Sequence, residues 1–379
     1  MKGSIRERSP GRWAIILDLY DSVTGERRRK WHSFKGTKRQ AQTECSRLIT
    51  KMEEGDYVEP AKLTLAQFFV QWLEHIKPNV SAKTHERYEQ HTRTIGKFIG
   101  GKVLSDLQPI HISQCYAKAV QGLAPRTVHH LHRVLYSALG QAERWRIINR
   151  NPAALLEKKD RPKIEKKPVT VIDAATAAKV FDAARDGRLF VPLILAILCG
   201  LRRGEITALQ WKSIDLDRAQ LAVVASTEQL DTGAVRDKET KSGKARTIAM
   251  PAMVVEELRK WKLAQAEELL RLGMKASAET KVFTCEDGST MQPHSLTSAM
   301  SEFLKPWGMT LHRLRHSHAS HLLAANIHPK VVQERLGHSG IGITMDLYSH
   351  LMPNMQGEAA MAVDAALRAA INKAADDLE

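Results

Sequence analysis

Cysteine is scarce in this chain. Cys45, Cys115, Cys199 and Cys285 are spread over 379 residues, and no two form a Cys-x-x-Cys pair. That spacing excludes a zinc ribbon and a disulfide framework, and it fits a reducing compartment. Long apolar runs are missing as well. The longest, Leu189 to Cys199, is broken by Pro192 and reaches about half of the ~20 residues that a membrane helix needs. The opening Met1-Lys-Gly-Ser-Ile-Arg has no apolar signal core. We therefore expect a soluble, cytoplasmic protein. There is no internal repeat, no low-complexity tract and no acidic triad suited to Mg²⁺.

Acidic charge is in deficit too: 42 Asp and Glu stand against 57 Lys and Arg, a formal net charge of +15. A chain this basic favours a polyanionic partner, most often nucleic acid; a basic protein without that role is the plainer alternative. Hydrophobic residues make up 43%, enough for ordinary cores, and the length suggests two or three domains.

Residues 1–60 read as a three-stranded sheet and a helix. Trp13, Ile15, Leu17 and Leu19 alternate with Ala14, Ile16 and Asp18, and Ser9-Pro-Gly11 and Thr24-Gly25 mark turns. Arg12, Arg27, Arg28, Arg29 and Lys30 fall on the strands, interleaved with Trp13 and Trp31. A basic sheet can enter a DNA groove; a solvated charged face is the other reading. Residues 62–157 carry four helical patterns, starting at Thr64, Ser81, Pro109 and Pro125, with their aromatics expected in the core. Lys83, Arg87, Arg126 and Arg133 are the candidates there for a DNA backbone, each equally readable as solvated. Residues 158–168, charged and proline-containing, form a linker. Residues 169–352 give a larger mixed domain: a helix from Asp173, a buried helix over Phe190–Leu198, strands at Leu221–Ala225 and Arg246–Met250, then helices. Residues 353–379 end in an apolar helical stripe. The fold class expected is multidomain and mainly α, with small β-sheets.

Four short stretches of the larger domain carry chemistry: Cys199-Gly-Leu-Arg-Arg-Gly-Glu205, Thr240-Lys-Ser-Gly-Lys244, Leu311-His-Arg-Leu-Arg-His316 and Leu336-Gly-His338, with Tyr348 ten positions further on. Any one of them alone is an ordinary helix start, turn or helix cap. Together they supply what phosphodiester attack by a tyrosine requires. A phenol, with a pKa of about 10, needs a base or a positive field. Arginines stabilise the charge that develops on the phosphoryl oxygens. A cation can protonate the leaving oxygen. His312 and His316 have the i, i+4 spacing of metal ligands, but the Glu of His-Glu-x-x-His is absent. We expect no metal and no cofactor.

In order and spacing these four stretches resemble the tyrosine recombinase (phage integrase) family, firmly over residues 195–350 and more loosely before about 165. The resemblance implies an amino-terminal arm-binding domain, a four-helix SAM-like core-binding domain and a mixed α/β catalytic domain. It makes Arg202 the first catalytic arginine, with Arg203 the neighbour open to confusion, and Glu205 a buried acid that orients the site. Lys241 becomes the general acid, with Lys244 as the other candidate. Arg315 is the second phosphate clamp, and His312 accepts the tyrosine proton or holds the phosphate. His338 bonds the scissile phosphate, and Tyr348 is the nucleophile. It also implies double-stranded DNA attachment sites, a homotetramer on DNA, and a DNA-bending host factor and an excision factor as accessory partners. The terminal helix would dock on a neighbouring subunit, or on its own domain. Two alternatives stand beside an integrase: a dimer-resolving recombinase of the same chemistry, and a non-catalytic DNA-binding regulator.

Overall fold

The computed structural model describes residues 2–20, 27–53, 62–164, 171–239, 245–342 and 344–345, with helical pieces at 360–361, 363–365 and 367–368. Its contacts divide the chain into two units, 1–165 and 166–379.

The first unit begins with three antiparallel strands, β1 (Lys2–Ser9), β2 (Arg12–Tyr20) and β3 (Arg27–Lys35), in that order, followed by helix α1 (Lys38–Glu53). Thr37 caps α1 by accepting from the Gln40 amide. The helix covers one face of the sheet, where Ile15, Leu17 and Cys45 are buried. Side chains directly opposite in a ladder share a face. Leu17 pairs with Lys30 and Ile15 with His32, so these lie on the helix side. Arg12 with Lys35, Ile16 with Trp31 and Asp18 with Arg29 lie on the open side.

Four helices follow: α2 (Leu65–Ile76), α3 (Ala82–Ile99), α4 (Pro109–Val120) and α5 (Pro125–Arg144). Thr64 and Gln67 close a reciprocal cap at the start of α2, and Ser81 caps α3. Pro109 and Pro125 occupy first-turn positions that need no N–H. Phe68, Phe69, Trp72, Ile95, Ile112, Leu131 and Leu135 fill one core. Three aromatics expected inside it are partly exposed: Phe98, Tyr136 and Trp145. Trp145, just past the end of α5, lies edge-on to Phe68 and His75, so its ring covers the rim of the core.

The second unit opens with α6 (Ala174–Ala184), α7 (Phe190–Leu198) and the short α8 (Arg203–Ala208). Asp173 caps α6 through the Thr176 amide. Helix α7 is buried along its length except at Leu198. Pro192 does not break it, because a third helical residue has no intrahelical N–H bond to lose. Strands β4 (Ile214–Asp215), β5 (Gln220–Val223), β6 (Ala225–Gln229), β7 (Val235–Glu239) and β8 (Arg246–Ala249) follow. They make two sheets, β4-β5-β8 and the hairpin β6-β7. The expected strand Leu221–Ala225 is therefore two strands that part at the exposed Val224. Helices α9 (Ala252–Arg271), α10 (Pro293–Leu304), α11 (Leu311–Ala324) and α12 (Pro329–Leu336) complete the unit. The core gathers α7, the inner faces of α9 and α10, and the start of α11. Among the described residues no helix is long and apolar enough to cross a membrane.

Candidate functional site

The turn after α7 sets the first arginine. Gly200 has φ 68°, and a Cβ there would meet the His318 ring at 2.6 Å and Leu336 at 2.7 Å. Only glycine allows that left-handed turn with two helices pressed so close. Arg202 then stands at the N-cap of α8. Its backbone N–H donates to Glu205 Oε2 (2.8 Å), its Nη1 to Glu205 Oε1 (2.8 Å) and its Nη2 to the Gly337 carbonyl (2.9 Å). The neighbouring Arg203 instead donates to Thr297 Oγ1 at the surface.

Glu205 is 3% exposed and gathers three cations. Besides Arg202, Arg246 donates to both its oxygens at 3.0 and 2.8 Å, and Arg315 Nη1 lies 3.8 Å away. Burial pushes the Glu205 carboxyl up, but the Arg246 hydrogen bonds and charge, the Arg202 amide and Arg315 outweigh it and hold it below its ordinary value. One carboxylate among three guanidiniums leaves two positive charges unmatched. Such a pocket attracts an anion.

Arg315, on α11, is 3% exposed. It donates to the Gly200 and Leu336 carbonyls, that is, to the turn after α7 and the end of α12. Burial and the like charge of Arg202 lower its guanidinium from its ordinary value, yet it remains cationic at neutral pH. Helix α12 ends at Gly337, φ 62°, where a Cβ would strike Arg246 Nη1 at 2.8 Å. That cap aims His338, whose N–H bonds the Gln333 carbonyl and whose Nδ1 lies 2.9 Å from Oγ1 of the buried Thr344. Burial, then Arg315 and Arg202, drive the His338 ring down to about 4. It is neutral at physiological pH and offers Nε2 to a ligand.

His312, also on α11, is exposed, and its Nε2 lies 3.0 Å from Nε2 of the half-buried His316. His318 and His321 are structural: His318 Nδ1 lies 3.0 Å from the Ile197 carbonyl and His321 Nε2 2.8 Å from that of Ile172. Among the described residues no group of three or more His, Cys, Asp or Glu could hold a metal ion.

Arg202, Glu205, Arg315 and His338 thus come together, with His316 within electrostatic reach of His338 and His312 against His316. Lys241, Lys244 and Tyr348 lie outside the described residues. Sequence reasoning missed Arg246 and Thr344. Arg246 stands 41 residues from the acid it serves, and only its position at the head of a strand was visible.

The proposed DNA-contacting residues fall in the first unit. Arg12 and Arg29 are exposed on the open face of the sheet, Arg29 beside Asp18 at 3.3 Å. Lys30 is half-buried on the helix side, away from them. Arg27 and Arg28 are on β3 with side chains outside the described set. Arg87 on α3 and Arg126 and Arg133 on α5 are exposed and lie within electrostatic reach of the His130 ring, which stacks on His91 at 6.1 Å. Lys83 is tied to Glu86 at 2.8 Å.

Two family models match this chain: the phage integrase family over residues 170–355, and the phage integrase N-terminal SAM-like domain over 64–119. A tyrosine recombinase XerC-like protein of Caldanaerobacter subterraneus is 27% identical over 85% of this chain and 88% of its own length. The ICEBs1 integrase of Bacillus subtilis is 27% identical over 95% of this chain and 99% of its own. Among solved structures, the Tn1549 transposon integrase in complex with a circular intermediate DNA shares the fold, with a TM-score of 0.70 and 18% identity over 79% of this chain and 99% of that one. A lambda integrase dimer bound to a COC′ core site has a TM-score of 0.57 at 18% identity, over 92% and 95%. With four sequence boxes in family order and two of the arginines gathered on one buried acid, the chain belongs to the phage integrase family of tyrosine recombinases.

Proposed function

We propose that this enzyme is the integrase of a phage or other mobile element, and that Arg202, Lys241, His312, Arg315, His338 and Tyr348 carry its chemistry. The observation that supports this most is the cationic pocket of Arg202, Arg315 and neutral His338 around Glu205. Its two guanidiniums are fixed before any substrate arrives, so they stabilise the pentavalent phosphorane without reorganising. His338 Nε2 donates to a non-bridging oxygen. Tyr348 attacks the phosphorus and passes its proton to His312. The P–O5′ bond breaks, and Lys241 protonates the departing 5′ oxygen. A 5′-hydroxyl from the partner strand reverses the sequence and exchanges the strands. Bond energy stays in the 3′-phosphotyrosyl link, so no ATP is consumed.

In this reading residues 1–60 bind arm-type DNA, 62–157 grip the core site, 158–168 link the two and 169–352 catalyse, while the 353–379 tail joins protomers in a tetramer on two duplexes. A DNA-bending host protein and an excision factor are the accessory partners, and the work takes place in the cytoplasm, at the nucleoid. A dimer-resolving role is less favoured. The ICEBs1 integrase matches 95% of this chain, whereas a XerC of Xanthomonas campestris matches 77%. The test is relaxation of supercoiled plasmid in EDTA without ATP, with denaturing gels to catch a protein–DNA adduct, alongside Tyr348→Phe. An adduct from wild type alone supports the assignment; a recombining Tyr348→Phe protein overturns it.

A further inference from the structure

The proposed chemistry uses one of the two histidines that face each other on α11. His312 and His316 lie one turn apart, with ring centroids 4.4 Å apart, planes at 81° and their Nε2 atoms 3.0 Å from each other. At that distance one nitrogen must carry a proton and the other a lone pair. The pair therefore has two neutral arrangements, and they give His312 opposite chemical character. If His316 donates, Nε2 of His312 is the acceptor and Nδ1 bears the hydrogen, so His312 can only give a hydrogen bond. If His316 accepts, His312 carries its hydrogen on Nε2, and Nδ1 is basic.

We propose that His316 is a positioning residue that accepts the His312 Nε2–H, and so makes Nδ1 of His312 the nitrogen that takes the tyrosine proton. This rests on the reading of His312 as the base for Tyr348. The proton balance is simple. As the Tyr348 Oη–P bond forms, the Oη proton moves to His312 Nδ1. His312 becomes an imidazolium, and its Nε2–H remains bonded to the neutral His316 ring, which spreads the charge. In the reverse step His312 returns the same proton to the tyrosine. With Nε2 of His312 turned to His316, Nδ1 is the nitrogen left to act as base, which requires His316 to accept. Burial and the adjacent Arg315 lower the affinity of His316 for protons, which keeps its ring neutral and stops it from capturing the proton itself. The arrangement follows the logic by which a second group fixes the tautomer of a catalytic or metal-binding imidazole.

The experiment compares wild type, His316→Leu and His316→Gln in EDTA, so that no metal bridges the rings. Adduct formation is followed on supercoiled plasmid carrying the junction between the encoding element and its chromosome. Expected is a loss of about 10- to 100-fold in adduct rate for His316→Leu, with unchanged DNA affinity, and recovery to within about threefold in His316→Gln, whose side-chain oxygen can accept the same hydrogen. Nitrogen-15 spectra of histidine-labelled wild type supply a second readout that needs no variant to fold: His312 should have an unprotonated Nδ1. A wild-type His312 with its lone pair on Nε2 overturns the proposal, as does a His316→Leu protein that forms adduct at the wild-type rate. Absence of adduct from wild type defeats the recombinase reading itself, which separates the two failures.

Discussion

Two sets of arginines serve this protein in different ways. In the second unit, Arg202, Arg246 and Arg315 are held by Glu205 and by the carbonyls of Gly200, Arg335, Leu336 and Gly337. In the first unit, Arg12, Arg87, Arg126 and Arg133 stand exposed on a sheet face and a helix pair. The first set has its side-chain freedom removed at folding, so its entropic cost is met before the substrate arrives. The second set keeps that freedom; if it meets DNA as proposed, it gives the freedom up on binding, which suits contacts that need only follow a phosphate backbone. Chemistry demands the one arrangement and tolerant grip the other.

The largest effect should come from the buried set. Arg315→Lys keeps the charge but loses the planar fork that spans two carbonyls and, in the proposed chemistry, the phosphate. We expect adduct formation to fall by about 10²–10³-fold, with core-site affinity within a few-fold of wild type in a mobility-shift assay. Arg203→Ala, one residue from Arg202 but bonded to Thr297 at the surface, should cleave nearly normally. Equal losses in both would dissolve the distinction between held and exposed arginines.

Next is the acid that holds the set. Glu205→Gln leaves three guanidiniums crowded without a countercharge, and breaking such a buried pairing costs about 3–5 kcal/mol, visible as a lower denaturation midpoint. The same carboxylate predicts a pH response. Its folded pKa lies below its ordinary value, so its contribution is complete above about pH 4.3 and is lost as pH falls through the lower folded value. A Glu205→Gln protein that is as stable as wild type at pH 7 would show that the cluster is held by carbonyls alone.

His318 responds in a different window. Burial first, then Arg335, bring its ring down to about 4, against the Ile197 carbonyl bond that favours charge. The unfolded chain therefore binds a proton that the folded one refuses between about pH 6.5 and pH 4. Stability should rise with pH across that interval, by about 3 kcal/mol in all, and be flat in this respect below it. His318→Gln should remove that share of the slope and leave the share of His338, whose ring is also brought down to about 4, as urea titrations of both proteins from pH 4 to 7 can show.

Sequence alone was informative wherever a local pattern sufficed. Helix α7 is uniformly apolar, the caps at Thr64, Ser81 and Asp173 sit beside their helices, and the glycines at 200 and 337 lie inside recognisable boxes. It was silent where partners are distant or polar. The β6–β7 hairpin has no apolar alternation to detect, because it is held by Glu228 with Arg236 and Lys238, and by Thr227 with Asp237. Arg246 is unremarkable until folding brings Glu205 to it, and Thr344 until it meets His338. Basic strands could be recognised, but which of their residues share a face depends on register. That is why Lys30 parts company with Arg12 and Arg29.

The sheet offers the smallest effects and the sharpest use of register. Arg12, Arg29, Lys35 and Trp31 share the open face, where Arg8 also lies 5.6 Å over the Trp31 ring, whereas Lys30 is on the covered side. If the open face meets phosphates, Arg12→Ala and Lys35→Ala should each weaken arm-DNA binding a few-fold at low salt. Each should also reduce the slope of log affinity against log salt by about one, since each phosphate contact releases about one counterion. Arg29→Ala should cost less, because Asp18 already neutralises part of its charge. Lys30→Ala should leave the slope unchanged while lowering stability slightly, since Lys30 is the half-buried cross-strand neighbour of buried Leu17. A slope that falls with Lys30 and not with Arg12 would place the DNA on the other side of the sheet, which α1 occupies, and would require that helix to move.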